Sequence, residues 1–210
     1  MTDVVDQQKP ATFTDMLRKL FKGILDPIGA FLNRIGLTPN TLTVLGLIGN
    51  SIGAVFLMRG EMVIGGILIL ILGPIDALDG TMARLRGEPT KFGAFVDSVT
   101  DRYSELVIYL GLLLFYLQEG NWIVSGLVYF AAAGSVLVSY VRARAEALDY
   151  EAKVGIMTRV ERYIVLAPSL VLSVPHIGVA IVAILANVTA IQRIIHVRRQ
   201  AHLQMEKDKN

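Results

Sequence analysis

The chain has 210 residues, 53% of them hydrophobic and 18% charged, with a mean hydropathy of +0.55, which is too apolar for an ordinary soluble domain and points to the membrane class. A formal net charge of +2 gives no footing for nucleic-acid binding, and the absence of cysteine excludes disulfides, thiolate metal sites and cysteine nucleophiles. The first eleven residues are polar and the first long apolar segment begins near Thr41, too late for a cleavable signal sequence, so none is expected.

Residues 1–12 read as a polar tail. Over 13–36, Phe13, Met16, Leu17, Leu20, Phe21, Ile24, Leu25, Ile28, Phe31, Leu32 and Ile35 recur at helical spacing. Arg18, Lys19, Lys22 and Arg34 occupy polar positions between them. This pattern predicts an amphipathic helix lying in the cytoplasmic membrane interface, with a bend or break at Pro27. The segment 37–200 then divides into six apolar stretches, near Thr41–Met58, Met62–Asp79, Gly93–Leu117, Trp122–Tyr140, Tyr163–Val174 and Ile177–Ile195. A helix needs about 20 apolar residues to cross the hydrocarbon core, so the fifth is expected to start earlier, near Thr158. Each span is expected to be helical, because lipid cannot satisfy an open backbone. Gly46, Gly49, Gly53, Gly65 and Gly66 suit close helix–helix approach. Residues 201–210 read as a second polar tail. The expected fold is all-α: a polytopic integral membrane protein with six transmembrane helices plus an N-terminal interfacial amphipathic helix.

Lys and Arg set the orientation. Arg84, Arg86 and Lys91 lie between the second and third stretches. Arg142, Arg144, Lys153, Arg159 and Arg162 lie between the fourth and fifth, and Arg193, Arg198, Arg199, Lys207 and Lys209 close the chain. The other side has only Arg59. The positive-inside rule therefore places both termini and both long connections in the cytoplasm, as an even span count requires.

Four acids stand where lipid would exclude them. Asp76 and Asp79 are three apart and Asp97 and Asp101 four apart, so each pair shares a helical face. Ionisable groups at span ends usually face a cavity and work there. Gly80, Ala83 and Gly93 continue the same faces with small residues, leaving room for another backbone or a flat ligand. Four converging carboxylates need a cation between them. Oxygen ligands, no cysteine and no histidine nearby favour Mg²⁺ or Mn²⁺ over zinc. Two such ions about 3.5–4 Å apart clamp an in-line displacement at phosphorus, and Arg84 could add a phosphate contact. Pairing of the acids with Arg84, Lys91 and Arg102 at the interface explains one pair less strainedly than two. A cation transport path is the alternative of another class, but it would spread acids through the membrane rather than gather them beside a basic loop.

The run Asp76-Ala-Leu-Asp79-Gly80-Thr-Met-Ala83-Arg84, eight further residues, then Gly93-Ala-Phe-Val-Asp97-Ser-Val-Thr-Asp101 resembles the CDP-alcohol phosphotransferase signature without a gap. The six spans, cytoplasmic termini and leading helix fit the same family, so the resemblance covers nearly the whole chain. It implies that Asp76, Asp79 and Asp97 are metal ligands for two ions. Asp101 would be both a ligand and the general base for the acceptor hydroxyl. It further implies that Gly80, Ala83, Arg84 and Thr90 contact the CDP-lipid donor, as do Asn40, Thr41 and Thr43 at the start of the first span. Pro39 there also reads as a helix-start marker. The implied chemistry is metal-dependent transfer of a phosphatidyl-type group from CDP-diacylglycerol or CDP-archaeol to a hydroxyl, with CMP leaving. A homodimer in the cell membrane is implied as well.

For the acceptor, Ser139-Tyr140-Val-Arg142-Ala-Arg144-Ala-Glu146 and Arg159-Val-Glu161-Arg162 resemble the subgroup that makes phosphatidylinositol phosphate or archaetidylinositol phosphate from inositol 1-phosphate. Thr158 stands where that subgroup usually has Glu. Arg142, Arg159, Arg162 and Arg193 are carried over as acceptor-phosphate contacts, for which the guanidinium fork is suited. Glycerol 3-phosphate is the runner-up acceptor. Serine, with no phosphate, leaves the arginines without a role. A catalytically silent scaffold of the same fold fits the intact signature worst.

Overall fold

The computed structural model describes residues 13–73, 75–87 and 90–207, with side chains from Lys22 onward apart from those of Asp76 and Ala77. The expected tail over 1–12 and the Asp76 side chain therefore lie outside the described residues. The chain forms α1 (Phe13–Arg34), α2 (Pro39–Met58), α3 (Met62–Leu72), α4 (Ile75–Leu85), α5 (Lys91–Gln118), α6 (Trp122–Glu146), α7 (Arg159–Val171) and α8 (Pro175–Lys207). Among the described residues there is no strand.

Local chemistry explains the boundaries. Thr38 accepts a hydrogen bond from the Thr41 N–H and Pro39 opens α2, a pairing of cap and proline that suits a helix start. Thr90 caps α5 in the same way, accepting from the Gly93 N–H at 2.9 Å. Gly60 and Gly120 take positive φ in the tight turns after α2 and α5, where a side chain would be strained.

Three elements differ from the sequence expectation. The stretch Met62–Asp79 is two helices, α3 and α4, instead of one span. The sequence there reads Gly73-Pro74, and proline has no N–H to give the carbonyl four residues back. That carbonyl is Leu70, and the Tyr163 hydroxyl of α7 sits 2.8 Å from it and 2.7 Å from the Ile69 carbonyl. The second is α1, which runs through Pro27 as one continuous helix, so of the expected bend or break the break does not occur. The third is α8, which runs to Lys207, so most of the expected polar tail is helical.

The helices pack chiefly as α6 on α8 and α2 on α5, with α3 against α2 and α7, and α1 against α4. Leu57, Ile69, Leu112, Val128, Leu170 and Val182 lie in the shared core. Close approach explains several small residues. A Cβ on Gly111 of α5 would lie 2.4 Å from the Ala54 carbonyl of α2. Large apolar side chains stay exposed on the outside, among them Ile52, Ile71, Leu110, Phe130 and Ile184. Water penalises such a surface and lipid does not. α2, α6 and α8 are each long and apolar enough to cross a membrane, and α3 is a shorter apolar helix. α5 is longer than α2 but carries Asp97, Asp101, Arg102 and Glu105 in its N-terminal part.

Candidate active site

The acid-bearing helices α4 and α5 are brought together through α2, on which both pack. The Asp79 carboxylate is buried and accepts a hydrogen bond from the Thr43 hydroxyl at 2.6 Å. A buried carboxylate needs such donors, and Thr43 of α2 thereby fixes the direction of Asp79 on α4. Asn40, at the start of α2, reaches the first turn of α5: a Cβ on Gly93 would lie 3.6 Å from its Oδ1. The segment 38–43 and the start of α5 therefore border one region. Thr41 and Thr90 take part in helix capping there.

On α4, Gly80 leaves an open face: among the described side chains only the Arg84 guanidinium lies near, 3.6 Å from where its Cβ would be. Arg84 is exposed and donates to Thr81 Oγ1 at 2.8 Å. Ala83 is half-buried beside it. Arg86 extends back to α1, bonding Asn33 Oδ1 at 2.7 Å and the Leu37 carbonyl, while Asn33 donates to the Met82 carbonyl. These contacts seat α1 under the acid-bearing helix.

On α5, Asp97 is half-buried and Asp101 buried one turn later. Asp101 Oδ2 lies 2.6 Å from Arg159 Nη1, at the first residue of α7, and 3.7 Å from Arg102 Nη1. One turn deeper, Glu105 meets Arg162 in a two-pronged pair at 2.6 and 2.8 Å, and the third guanidinium nitrogen donates to the Met157 carbonyl at 3.3 Å. Arg162 is buried, at 2% exposure, whereas Arg159 keeps 38% of its side chain exposed. Thr158 stands at the N-cap position of α7 without a side-chain cap bond to the backbone, and its hydroxyl donates to the Glu161 carboxylate three residues on.

The remaining expected arginines divide by environment. Arg142 is exposed and pairs with Glu146 one turn along α6 at 2.9 Å, a contact worth only a few tenths of a kcal/mol. Arg193 is buried and donates to the Val138 carbonyl at 2.6 Å and the Val154 carbonyl at 2.9 Å, joining α8 to α6 and to the connection before α7. The structure thus joins Thr43 with Asp79 and Asp101 with Arg159, and it turns Arg162 and Arg193 onto internal partners. Sequence reasoning missed Glu105. Its signal was present, since Asp97, Asp101 and Glu105 repeat at four-residue intervals along one face.

Among the described residues no three acids or histidines gather as a ready cation cage, and the Asp76 side chain lies outside them. The donor set fits a hard divalent ion: Asp79, Asp97 and Asp101 offer only carboxylate oxygens, and the three histidines all belong to α8.

A helical membrane protein with paired aspartates and arginines at one end of its bundle matches a known class. The chain belongs to the CDP-alcohol phosphatidyltransferase family, whose model matches residues 36–196, and it is a transferase of phospholipid biosynthesis. It is 36% identical to a phosphatidylinositol phosphate synthase of Streptomyces avermitilis over 200 residues, covering 88% of this chain and 82% of that protein. It is 34% identical to an archaetidylinositol phosphate synthase of Pyrococcus horikoshii over 188 residues, covering 89% and 97% of the two chains. The phosphatidylinositol phosphate synthase of Mycobacterium tuberculosis, solved with CDP-DAG bound, superposes with a TM-score of 0.79 at 30% identity, covering 83% of this chain and 94% of that one. The same enzyme has been solved with manganese and citrate, with a TM-score of 0.78 at 30% identity over 82% and 88% of the two chains.

Proposed function

We propose that the chain transfers a phosphatidyl-type group from CDP-diacylglycerol or CDP-archaeol to the hydroxyl of inositol 1-phosphate, releasing CMP. The observation that carries this reading is the 2.6 Å approach of Arg159 to Asp101. It sets a partly exposed guanidinium, a good phosphate anchor, beside a carboxylate that can take a proton. An acceptor bearing both a phosphate and a hydroxyl can bridge the two. The names of the three relatives compared above, inositol-phosphate lipid synthases, support the same acceptor.

When the acceptor phosphate binds Arg159, with Arg142 able to leave Glu146 and join it, the hydroxyl is directed at Asp101. Asp101 takes the hydroxyl proton as the acceptor oxygen attacks the phosphorus bonded to the lipid. The bond from that phosphorus to the bridging oxygen breaks, and CMP leaves with the electron pair. Divalent ions held by Asp76, Asp79, Asp97 and Asp101, two Mg²⁺ or Mn²⁺, would neutralise the donor diphosphate. Thr43 aims Asp79, while Asn40, Thr41, Gly80, Ala83, Arg84 and Thr90 border the region that receives the donor. Arg162 and Arg193 support the acceptor side from buried positions. Glycerol 3-phosphate presents the same two groups and is the second acceptor to test.

In the membrane, we read the chain as six passes formed by α2, α3 with α4, α5, α6, α7 and α8. α1 lies in the cytoplasmic interface, and the site opens to the cytoplasm. The active unit is taken to be a homodimer. The test is CMP release by purified protein given CDP-diacylglycerol, inositol 1-phosphate and Mg²⁺. Release should stop on chelation and fall by roughly 10²–10⁴-fold in Asp101→Asn. Release without an added acceptor or metal, or full activity in Asp101→Asn, overturns the reading.

A further inference from the structure

The α5–α7 junction holds a residue that no part of the family signature includes. Among the described residues α5 and α7 do not pack closely on each other; α7 leans on α3 and α8. Between α5 and α7 lies a small, partly open cavity of about 50 Å³, lined by Asp101, Ser104 and Glu105 on one side and Arg159, Arg162 and Tyr163 on the other. Two ionic rungs cross it. Asp101–Arg159 is the upper rung and is partly exposed on the arginine side. Glu105–Arg162 is the lower rung and is buried on the arginine side. The spacing matches: Glu105 follows Asp101 by one turn of α5, and Arg162 follows Arg159 by one turn of α7.

The lower rung is the rigid one. Its two charge-assisted hydrogen bonds fix the guanidinium plane as well as its distance. Arg162 also holds the Met157 carbonyl, and the Met157 N–H donates to Thr189 Oγ1 of α8 at 3.0 Å. Glu105 is thereby connected to the start of α7, to the chain before it and to α8.

We propose that Glu105 is a positioning residue: through Arg162 it seats the first turn of α7 so that Arg159 stands beside Asp101 and receives the acceptor phosphate there. This rests on Arg159 being the phosphate anchor and Asp101 the base. A misplacement of about 1 Å at such a site can cost about a hundredfold in rate, so the effect should be readable in acceptor kinetics.

The experiment is steady-state kinetics on the full chain in lipid, with acceptor and CDP-lipid varied separately. Glu105→Gln should raise the acceptor KM at least about tenfold and leave the CDP-lipid KM within about twofold, because the donor contacts lie on α2, α4 and the first turns of α5 and none on α7. Glu105→Asp, which keeps the charge, should recover part of the loss. Arg162→Lys keeps opposite charges facing one another but loses the fork; it should shift the acceptor KM in the same sense and carries the test if Glu105→Gln does not fold. The double variant Glu105→Gln with Arg162→Lys should be no worse than the worse single variant. Equal shifts in both KM values, an unchanged acceptor KM in a folded variant, or additive effects overturn the role of Glu105 alone. A wild-type protein inactive with every phosphorylated acceptor overturns the functional reading first, and this proposal with it.

Discussion

The arginines at the acceptor end look alike in sequence and do different work. Arg142 keeps an exposed guanidinium and Arg159 a partly exposed one, each paired with a carboxylate, and the proposed function makes both phosphate contacts. Arg162 and Arg193 are buried and satisfied by Glu105 and by backbone carbonyls. Arg159→Ala should therefore raise the acceptor KM by about tenfold or more with little change for the CDP-lipid, and Arg142→Ala should do so by less, since its held position is weaker. Initial rates over an acceptor series check both, and an equal effect on the two substrates would contradict the assignment. The acidic face was legible because carboxylates at helical spacing are out of place beside apolar runs. The partner of each arginine was not, because Glu105 and Arg162 are 57 residues apart and only packing brings them together.

At the scale of elements, the junction of α3 and α4 shows how a membrane helix breaks without leaving a bare carbonyl. Lipid offers no water to replace a missing backbone bond. Tyr163 supplies its hydroxyl to the Ile69 and Leu70 carbonyls, and Gly73 makes room for its ring: an added Cβ would lie 2.0 Å from Tyr163 Cζ. Tyr163→Phe should destabilise the protein by about 1–3 kcal/mol, the cost of leaving such a group unpaired. Gly73→Ala should cost more, because the ring must move as well as lose its bonds. Thermal unfolding in detergent reads both, and an unchanged midpoint in Tyr163→Phe would refute this account of the break. The apolar segments themselves were readable from composition, and Gly73-Pro74 marked the break. The tyrosine that repairs it, 93 residues from Leu70, carried no local signal.

For the whole molecule, the proposed six-pass reading expects the α6–α7 connection in the cytoplasm and the α5–α6 turn on the opposite side, following the positive-inside pattern. The chain has no cysteine, so single cysteines report position cleanly. Asp149→Cys should react with a membrane-impermeant thiol reagent from the cytoplasmic face, and Glu119→Cys from the other; labelling of both from one face would refute six passes. The helical class and the acid-bearing end were both visible in the sequence, whereas the bundling of α6 with α8 and α2 with α5 is a property of three-dimensional packing. The central claim is that acids on α4 and α5 and an arginine on α7 join a CDP-activated lipid to a phosphorylated alcohol. The most direct measurement supplies purified protein with CDP-lipid and Mg²⁺, offers inositol 1-phosphate, glycerol 3-phosphate, inositol and serine in turn, and weighs the lipid products. A phosphatidylinositol phosphate-type product from inositol 1-phosphate, in preference to the unphosphorylated acceptors, is the predicted result; a lipid product from inositol or serine and none from either phosphorylated acceptor would contradict it.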